Sequence, residues 1–242
     1  MREDKPTIGF IGLGLMGQAF TECLCRLDYT VIGHDLDEEK ISAAAGHGVQ
    51  PASSAANLTA RADIILICVT STDGVRAAVF GPDGVAEAAN GDKLLVDHST
   101  SVVQDTKDMA AELLERTGMG WIDAPVSGGP PAAQSGSLAI MAGGAEDDIT
   151  RAASVLDDLA AQFTHMGPVG AGQVTKMINQ VLVLNNYAIL AEALAMAEAG
   201  GIDAAKIPEA LGAGHAGSNM LASMYPRMLA RDFAPAGFAR QI

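Results

Sequence analysis

The chain has 242 residues, 49% of them hydrophobic, 18% charged and 4% aromatic, with a formal net charge of −14 at pH 7. That acidity disfavours nucleic acid and anionic membrane surfaces as partners, because both repel it, whereas a small anionic substrate responds only to the local field. The length allows one large domain or two smaller ones.

Residues 7–35 read TIGFIGLGLMGQAFTECLCRLDYTVIGHD. An apolar run from Ile8 to Ile11 leads into Gly12-x-Gly14-x-x-Gly17, a helix-compatible segment follows, and a β-branched run at 30–32 leads to Asp35. A glycine spacing of this kind is common by itself, but strand, turn, helix and strand within about thirty residues point to a dinucleotide site. Gly12 allows the tight turn, Gly14 removes a side chain where the pyrophosphate approaches, and Gly17 lets the helix pack on the strand. Leu13, Leu15 and Met16 belong to the same cofactor-binding turn, and the helix N-terminus faces the phosphates with free N–H groups. Asp35 is placed to accept hydrogen bonds from the adenosine ribose and would repel a 2′-phosphate. Leu36 follows it in place of an arginine, so NAD is expected over NADP.

Further along, residues 38–45 and 53–60 predict helices, and residues 64–69 a continuous apolar strand buried on both faces. Val69 and Thr70 open the loop at its carboxyl end, the edge where open α/β sheets bind ligands. A helix at 73–80, the turn Gly81-Pro82-Asp83-Gly84, a short helix and a strand at 93–96 lead to Asp97-His98-Ser99-Thr100. A helix at 102–116, a strand at 121–125, a strand at 137–141 closed by Gly143-Gly144 and a helix at 147–161 complete the alternation. This pattern predicts an α/β fold with a doubly wound, Rossmann-type parallel sheet. Gly167, Pro168 and Gly170 form a linker, after which a helix at 173–199, roughly 40 Å long, starts an all-helical part with helices at 203–211 and 218–230. The expected domains are 1–167, binding NAD, and 168–242, a helical substrate and oligomerisation domain.

Cys23, Cys25 and Cys68 are odd in number and make no disulfide framework; all three are expected to be buried apolar residues in a reducing compartment. Residues 1–6 are charged and lead straight into a strand, and no apolar run approaches the ~20 residues of a membrane span, so a cytoplasmic protein is expected. Asp97 and His98 are adjacent on a strand and project to opposite faces, which argues against a catalytic pair. No histidine has metal-ligand spacing, and no metal site is expected.

Three clusters remain: Ser99-Thr100, Asp123-Ala-Pro-Val-Ser-Gly-Gly129, and Gly170-Ala-Gly-Gln-Val-Thr-Lys176 with Asn179-Gln180. Ser127, Gly128 and Gly129 can present a hydroxyl and backbone N–H groups to a carboxylate; a plain turn before Pro130-Pro131 is the alternative. A lysine inside a largely apolar helix is costly to bury charged, so desolvation lowers its pKa and suits it to proton transfer. By spacing alone Lys176 could equally snorkel on a solvated face. Asn179 and Gln180 fall at i+3 and i+4 on the same helix face.

Together with the glycine loop these motifs, in this order, resemble the β-hydroxyacid dehydrogenase family from Thr7 to about residue 238. Asn179-Gln180, GAGQVTKMINQVLVLN and DAPVSGGPPAAQSGSLAIMAGG lean towards its tartronate semialdehyde reductase branch; a 3-hydroxyisobutyrate dehydrogenase is the alternative. The resemblance implies that Lys176 exchanges the proton, that Ser127, Gly128, Gly129, Asn179 and Gln180 bind a small hydroxy acid or semialdehyde, and that Val69, Thr70 and Thr100 meet the cofactor near its nicotinamide end. The family continues beyond Ala236-Gly237-Phe238 with a Lys-Asp motif and more helices, so the helical domain is expected to be incomplete. A dinucleotide-binding protein without catalysis is the alternative from another class. Homo-oligomerisation is expected to cover the apolar faces of the long helix.

Overall fold

The computed structural model describes residues 5–232. The expectations that concern residues 1–4 and Ala236-Gly237-Phe238 lie outside the described residues.

Six short strands form the parallel part of one sheet: β1 (Ile8–Ile11), β2 (Val31–His34), β3 (Gln50–Pro51), β4 (Ile64–Ile67), β5 (Leu94–Asp97) and β6 (Gly120–Asp123). Their spatial order is β3-β2-β1-β4-β5-β6. All of β1, β4 and β5 is buried, as their unbroken apolar runs require of strands covered on both faces. Side chains alternate between two cores. Ile8, Phe10, Ile64, Leu66, Leu94 and Val96 face one, with Phe20, Leu24 and Leu156; Ile11, Ile65, Ile67 and Leu95 face the other, with Val75 and Leu113.

Helices α1 (Leu15–Arg26), α2 (Glu38–Ala45), α3 (Ala55–Arg61), α4 (Thr72–Phe80) and α5 (Val103–Thr117) supply the crossovers. Side-chain caps start three of them. Asp37 accepts the Glu39 N–H, Ser54 that of Asn57 and Ser71 that of Gly74.

Beyond β6 the sheet departs from the expected parallel pattern. β7 (Val126–Ser127) and β6 both pair antiparallel with β8 (Leu138–Gly143), and β9 (Ala160–Gly167) pairs parallel with β8. The connection from β6 through β7 is too short for a crossover, so the chain folds back. Residues 129–135 form α6 (Gly129–Ser135), with proline in its first turn, where the missing N–H costs nothing. Helix α7 (Glu146–Leu159) stops two residues earlier than expected and passes directly into β9, a half-exposed strand where a helix end and a linker were predicted.

The chain divides into two compact units, one running to Lys176 and the other from Met177. The division falls within α8 (Ala171–Ala199), whose first turns join the sheet unit. In the second unit the rest of α8 forms a small core of Leu190, Leu221 and Tyr225 with Ile207 and Met224, drawn from α9 (Ile207–Gly212) and α10 (Asn219–Leu229). Contrary to the sequence expectation, the 29-residue α8 is long and apolar enough to cross a membrane by length and composition, with a mean hydropathy of 1.3 in its most apolar window. Asn179, Gln180, Asn185 and Asn186 interrupt that apolar run; Asn185 and Asn186 donate back to the carbonyls of Val181 and Leu182.

Candidate active site

The strand order reverses between β1 and β4, and a cleft of about 540 Å³ opens at their carboxyl ends. Gly12, Gly14, Asp35, Val69 and Thr70 line it, as do His34, Lys40 and Cys68, for which sequence reasoning assigned no role there. The glycine loop is built for close approach. Gly12 has φ +94°, and a Cβ there would run into the Cys68 carbonyl oxygen. A Cβ on Gly17 would collide with the Gly12 carbonyl oxygen, so Gly17 lets α1 close on the loop. At Gly14 a Cβ would meet nothing within 4 Å; the backbone is bare towards the cleft. No side chain caps α1 and no acidic residue lies in its first turn, which leaves its N–H groups and dipole to an anion. These residues fit the pyrophosphate of a dinucleotide.

Asp35 closes the far end of the loop. Its Oδ2 accepts the Leu13 N–H at 2.7 Å and its Oδ1 the Asp37 N–H at 3.0 Å. Lys40, in the first turn of α2, stands 3.6 Å from Asp35 and 3.4 Å from Asp37. Leu13 is fully buried, Leu15 is exposed, and Met16 packs partly buried on the core. Cys25 and Cys68 correct an expectation, being half-buried, with only Cys23 buried. Cys68 lies one residue past β4, where the sheet opens into the cleft, and burial pushes its thiol up to about 12.

At the sheet's other end α8 brings Lys176 to β7. Lys176 is only 8% exposed, and its Nζ donates to the Val126 carbonyl at 2.8 Å. The snorkelling alternative is therefore set aside. Burial lowers its pKa from the ordinary lysine value. Ser127 follows Val126 directly and is half-buried; Gly128 and Gly129 take φ +127° and +69°, which only glycine adopts without strain. The structure thus gathers Lys176 and the Ser127-Gly128-Gly129 turn in one place. Thr100 is not part of the cleft lining; its neighbour Ser99 accepts the Val69 N–H at 3.0 Å. Asn179 and Gln180 belong to the second unit, where Asn179 Nδ2 donates to Gln180 Oε1 at 3.3 Å.

Asp97 and His98 are both buried. Asp97 Oδ1 accepts the Ser99 N–H at 2.8 Å while its Oδ2 lacks a partner, and burial pushes the carboxyl up to about 7. The His98 ring stacks on Phe20 and its Nδ1 lies 2.7 Å from the Ala124 carbonyl; burial lowers its pKa to about 4. Two residues that sequence reasoning left without roles, Asp123 and Gln173, join the start of α8 to the strand ends. Among the described residues no three His, Cys, Asp or Glu side chains gather as metal ligands.

Comparison with known proteins bears on this geometry. Residues 7–167 match the NAD binding domain of 6-phosphogluconate dehydrogenase, and residues 170–242 match the NAD-binding region of NADP-dependent 3-hydroxyisobutyrate dehydrogenase. The chain is 35% identical over 232 residues to 2-hydroxy-3-oxopropionate reductase of Escherichia coli, covering 94% of this chain and 77% of that one. It is 34% identical over 241 residues to 2-(hydroxymethyl)glutarate dehydrogenase of Eubacterium barkeri, covering 99% of this chain and 79% of that one. Among solved structures, the 3-hydroxyisobutyrate dehydrogenase of Mycobacterium tuberculosis with L-serine aligns with a TM-score of 0.79 and 33% identity, over 90% of this chain and 73% of that one. The fold is shared with the solved 3-hydroxyisobutyrate dehydrogenase, and the chain belongs to the NAD(P)-dependent β-hydroxyacid dehydrogenase family of oxidoreductases.

Proposed function

We propose that the protein interconverts a small 3-hydroxy acid and its semialdehyde with NAD as cofactor, as a 2-hydroxy-3-oxopropionate (tartronate semialdehyde) reductase, and that Lys176 is its proton-transfer group. The observation that carries the reading is Lys176 itself, buried and held 2.8 Å from the Val126 carbonyl beside Ser127. The nicotinamide cofactor supplies or accepts the hydride when bound. In oxidation the neutral Lys176 amine takes the hydroxyl proton; in reduction its ammonium gives a proton to the carbonyl oxygen. Ser127 Oγ and the N–H groups of Gly128 and Gly129 hold the substrate carboxylate, and Asn179 and Gln180, one turn along α8, orient the substrate.

Asn179-Gln180, by the family resemblance, supports the reductase over 3-hydroxyisobutyrate dehydrogenase. L-serine, in the Mycobacterium tuberculosis structure, is itself a carboxylate with a 3-hydroxyl, which supports the substrate class. By the family resemblance Thr100 meets the cofactor near its nicotinamide end. Residues 1–167 serve as the NAD-binding domain and 168–242 as the substrate domain. The exposed Val181, Leu182, Ile189 and Met196 of α8 support self-association, which sedimentation equilibrium reads directly.

Steady-state rates with tartronate semialdehyde and NADH, set beside 3-hydroxyisobutyrate and NAD, test the assignment. Faster turnover of tartronate semialdehyde is expected. Turnover of a bulkier acid with neither small substrate accepted overturns it.

A further inference from the structure

Asp123 ends β6 and takes part in none of the steps above. Its side chain is fully buried, and both carboxylate oxygens turn onto the start of α8. Oδ1 accepts the Gly170 N–H at 2.6 Å and Oδ2 the Gln173 N–H at 2.8 Å. The helix is therefore capped by a residue from a distant strand. That strand end packs tightly against it. A Cβ on Gly172 would strike the carbonyl oxygens of Asp123 and Met141, and one on Gly143 would come within 2.6 Å of Asp123 Oδ1.

Gln173 carries the connection further. Its Nε2 donates to the Ser99 carbonyl at 2.9 Å, and its Oε1 accepts the Ser101 N–H at 3.1 Å. Ser99 Oγ in turn accepts the N–H of Val69, which lines the cofactor cleft. The ends of β4, β5 and β6 are thus bonded into one network with the first turn of α8. Lys176 lies three residues beyond Gln173 on that helix.

We propose that Asp123, acting with Gln173, is a positioning residue for Lys176: it fixes the first turn of α8 so that the amine reaches the Val126 carbonyl in register with the cofactor rim. This rests on the reading of Lys176 as the proton-transfer group. A buried carboxylate at the positive end of a helix gains from the dipole, and its loss leaves helix N–H groups unsatisfied. The charged groups around this corner are Asp97, opposite Asp123 in the β5–β6 register, Lys107, packed on Gly170 from α5, and Lys176. Burial pushes Asp123 up to about 6, against the opposing bonds from Gly170 and Gln173. Sub-ångström placement is what a proton-transfer group needs, and a misplacement of about 1 Å costs on the order of a hundredfold in rate.

The test is the titration of Lys176 by pH-dependent trace acetylation and mass spectrometry on the whole protein, in wild type, Asp123→Ala, Asp123→Asn and Gln173→Ala, with kcat and the KM for NADH measured alongside. With the latch broken, the amine leaves its dry seat and its midpoint rises towards the ordinary lysine value. Asp123→Ala and Gln173→Ala are expected to raise it and to lower kcat by about tenfold or more, while the KM for NADH moves by less than about threefold. Asp123→Asn, which keeps one acceptor, falls between. An unmoved midpoint in the folded variants, whatever happens to kcat or melting temperature, overturns the proposal. Should Asp123→Ala fail to fold, Asp123→Asn and Gln173→Ala decide on the same criterion. Turnover surviving in Lys176→Met defeats the proton-transfer reading instead, and leaves the acetylation result readable by itself.

Discussion

Asp97 and Lys176 are both buried ionisable groups, and their burial makes opposite demands on pH. Asp97, with one oxygen unpartnered, is raised to about 7, so its contribution to stability is present below the ordinary carboxylate range and is lost as pH rises through about 7. His98, lowered to about 4, acts in the other sense, adding stability as pH rises from about 4 to its unfolded value. Comparing wild type with Asp97→Asn isolates the carboxyl. The variant should match wild type near pH 4 and exceed it by pH 8 by at least about 1.4 kcal/mol, the equivalent of one pKa unit. Urea unfolding at the two pH values measures this; a constant difference would show that Asp97 titrates in the fold as it does in the unfolded chain, with no rise from burial. Lys176 has its pKa depressed by burial. For oxidation, which needs the neutral amine, the rate should therefore climb with pH and level off below the ordinary lysine value. A pH–rate profile of alcohol oxidation checks it, and a plateau reached only above about 10.5 would contradict the burial argument.

Among the elements, α1 and the glycine loop depend on each other. Gly17→Ala puts a methyl against the Gly12 carbonyl oxygen, so α1 must back away from the loop proposed to meet the pyrophosphate. NADH affinity is expected to fall about tenfold or more, the equivalent of about 1.4 kcal/mol, with a lower melting temperature. Unchanged affinity by fluorescence titration would mean that the loop tolerates the shift.

This loop was also the most legible element in the sequence, because each of its glycines answers a local steric demand. The apolar strands β1, β4 and β5 were legible for a similar reason, since burial on both faces leaves an unbroken run. β9 was not: Ala160–Gly167 is mostly exposed and carries Gln162, Thr164 and His165. α6 was hidden at Pro130-Pro131, which followed what could be a plain turn, although proline suits a first helical turn. Asp123 and Gln173 stood inside the motifs, yet their roles arise only when residues some 50 to 74 positions apart meet in space. No local pattern encodes such a contact.

For the molecule as a whole, the proposed preference for NAD rests on the charges at the Asp35 end of the cleft. On that proposal Asp35 would set negative charge against the 2′-phosphate of NADP, and the part-exposed Lys40 at 3.6 Å would offset only some of the repulsion. The KM for NADPH is expected to exceed that for NADH by about tenfold, and Asp35→Asn should narrow the gap. Equal use of both cofactors by the wild type would contradict the assignment to NAD.

The proposed chemistry converges on one side chain, Lys176. The most direct measurement is single-turnover reduction of tartronate semialdehyde by NADH in wild type and Lys176→Met, with NADH binding titrated in both. The expected result is unchanged NADH affinity and a loss of roughly 10²–10⁴-fold in rate. A Lys176→Met protein that reduces the aldehyde at the wild-type rate would contradict the assignment of Lys176 as the proton-transfer group.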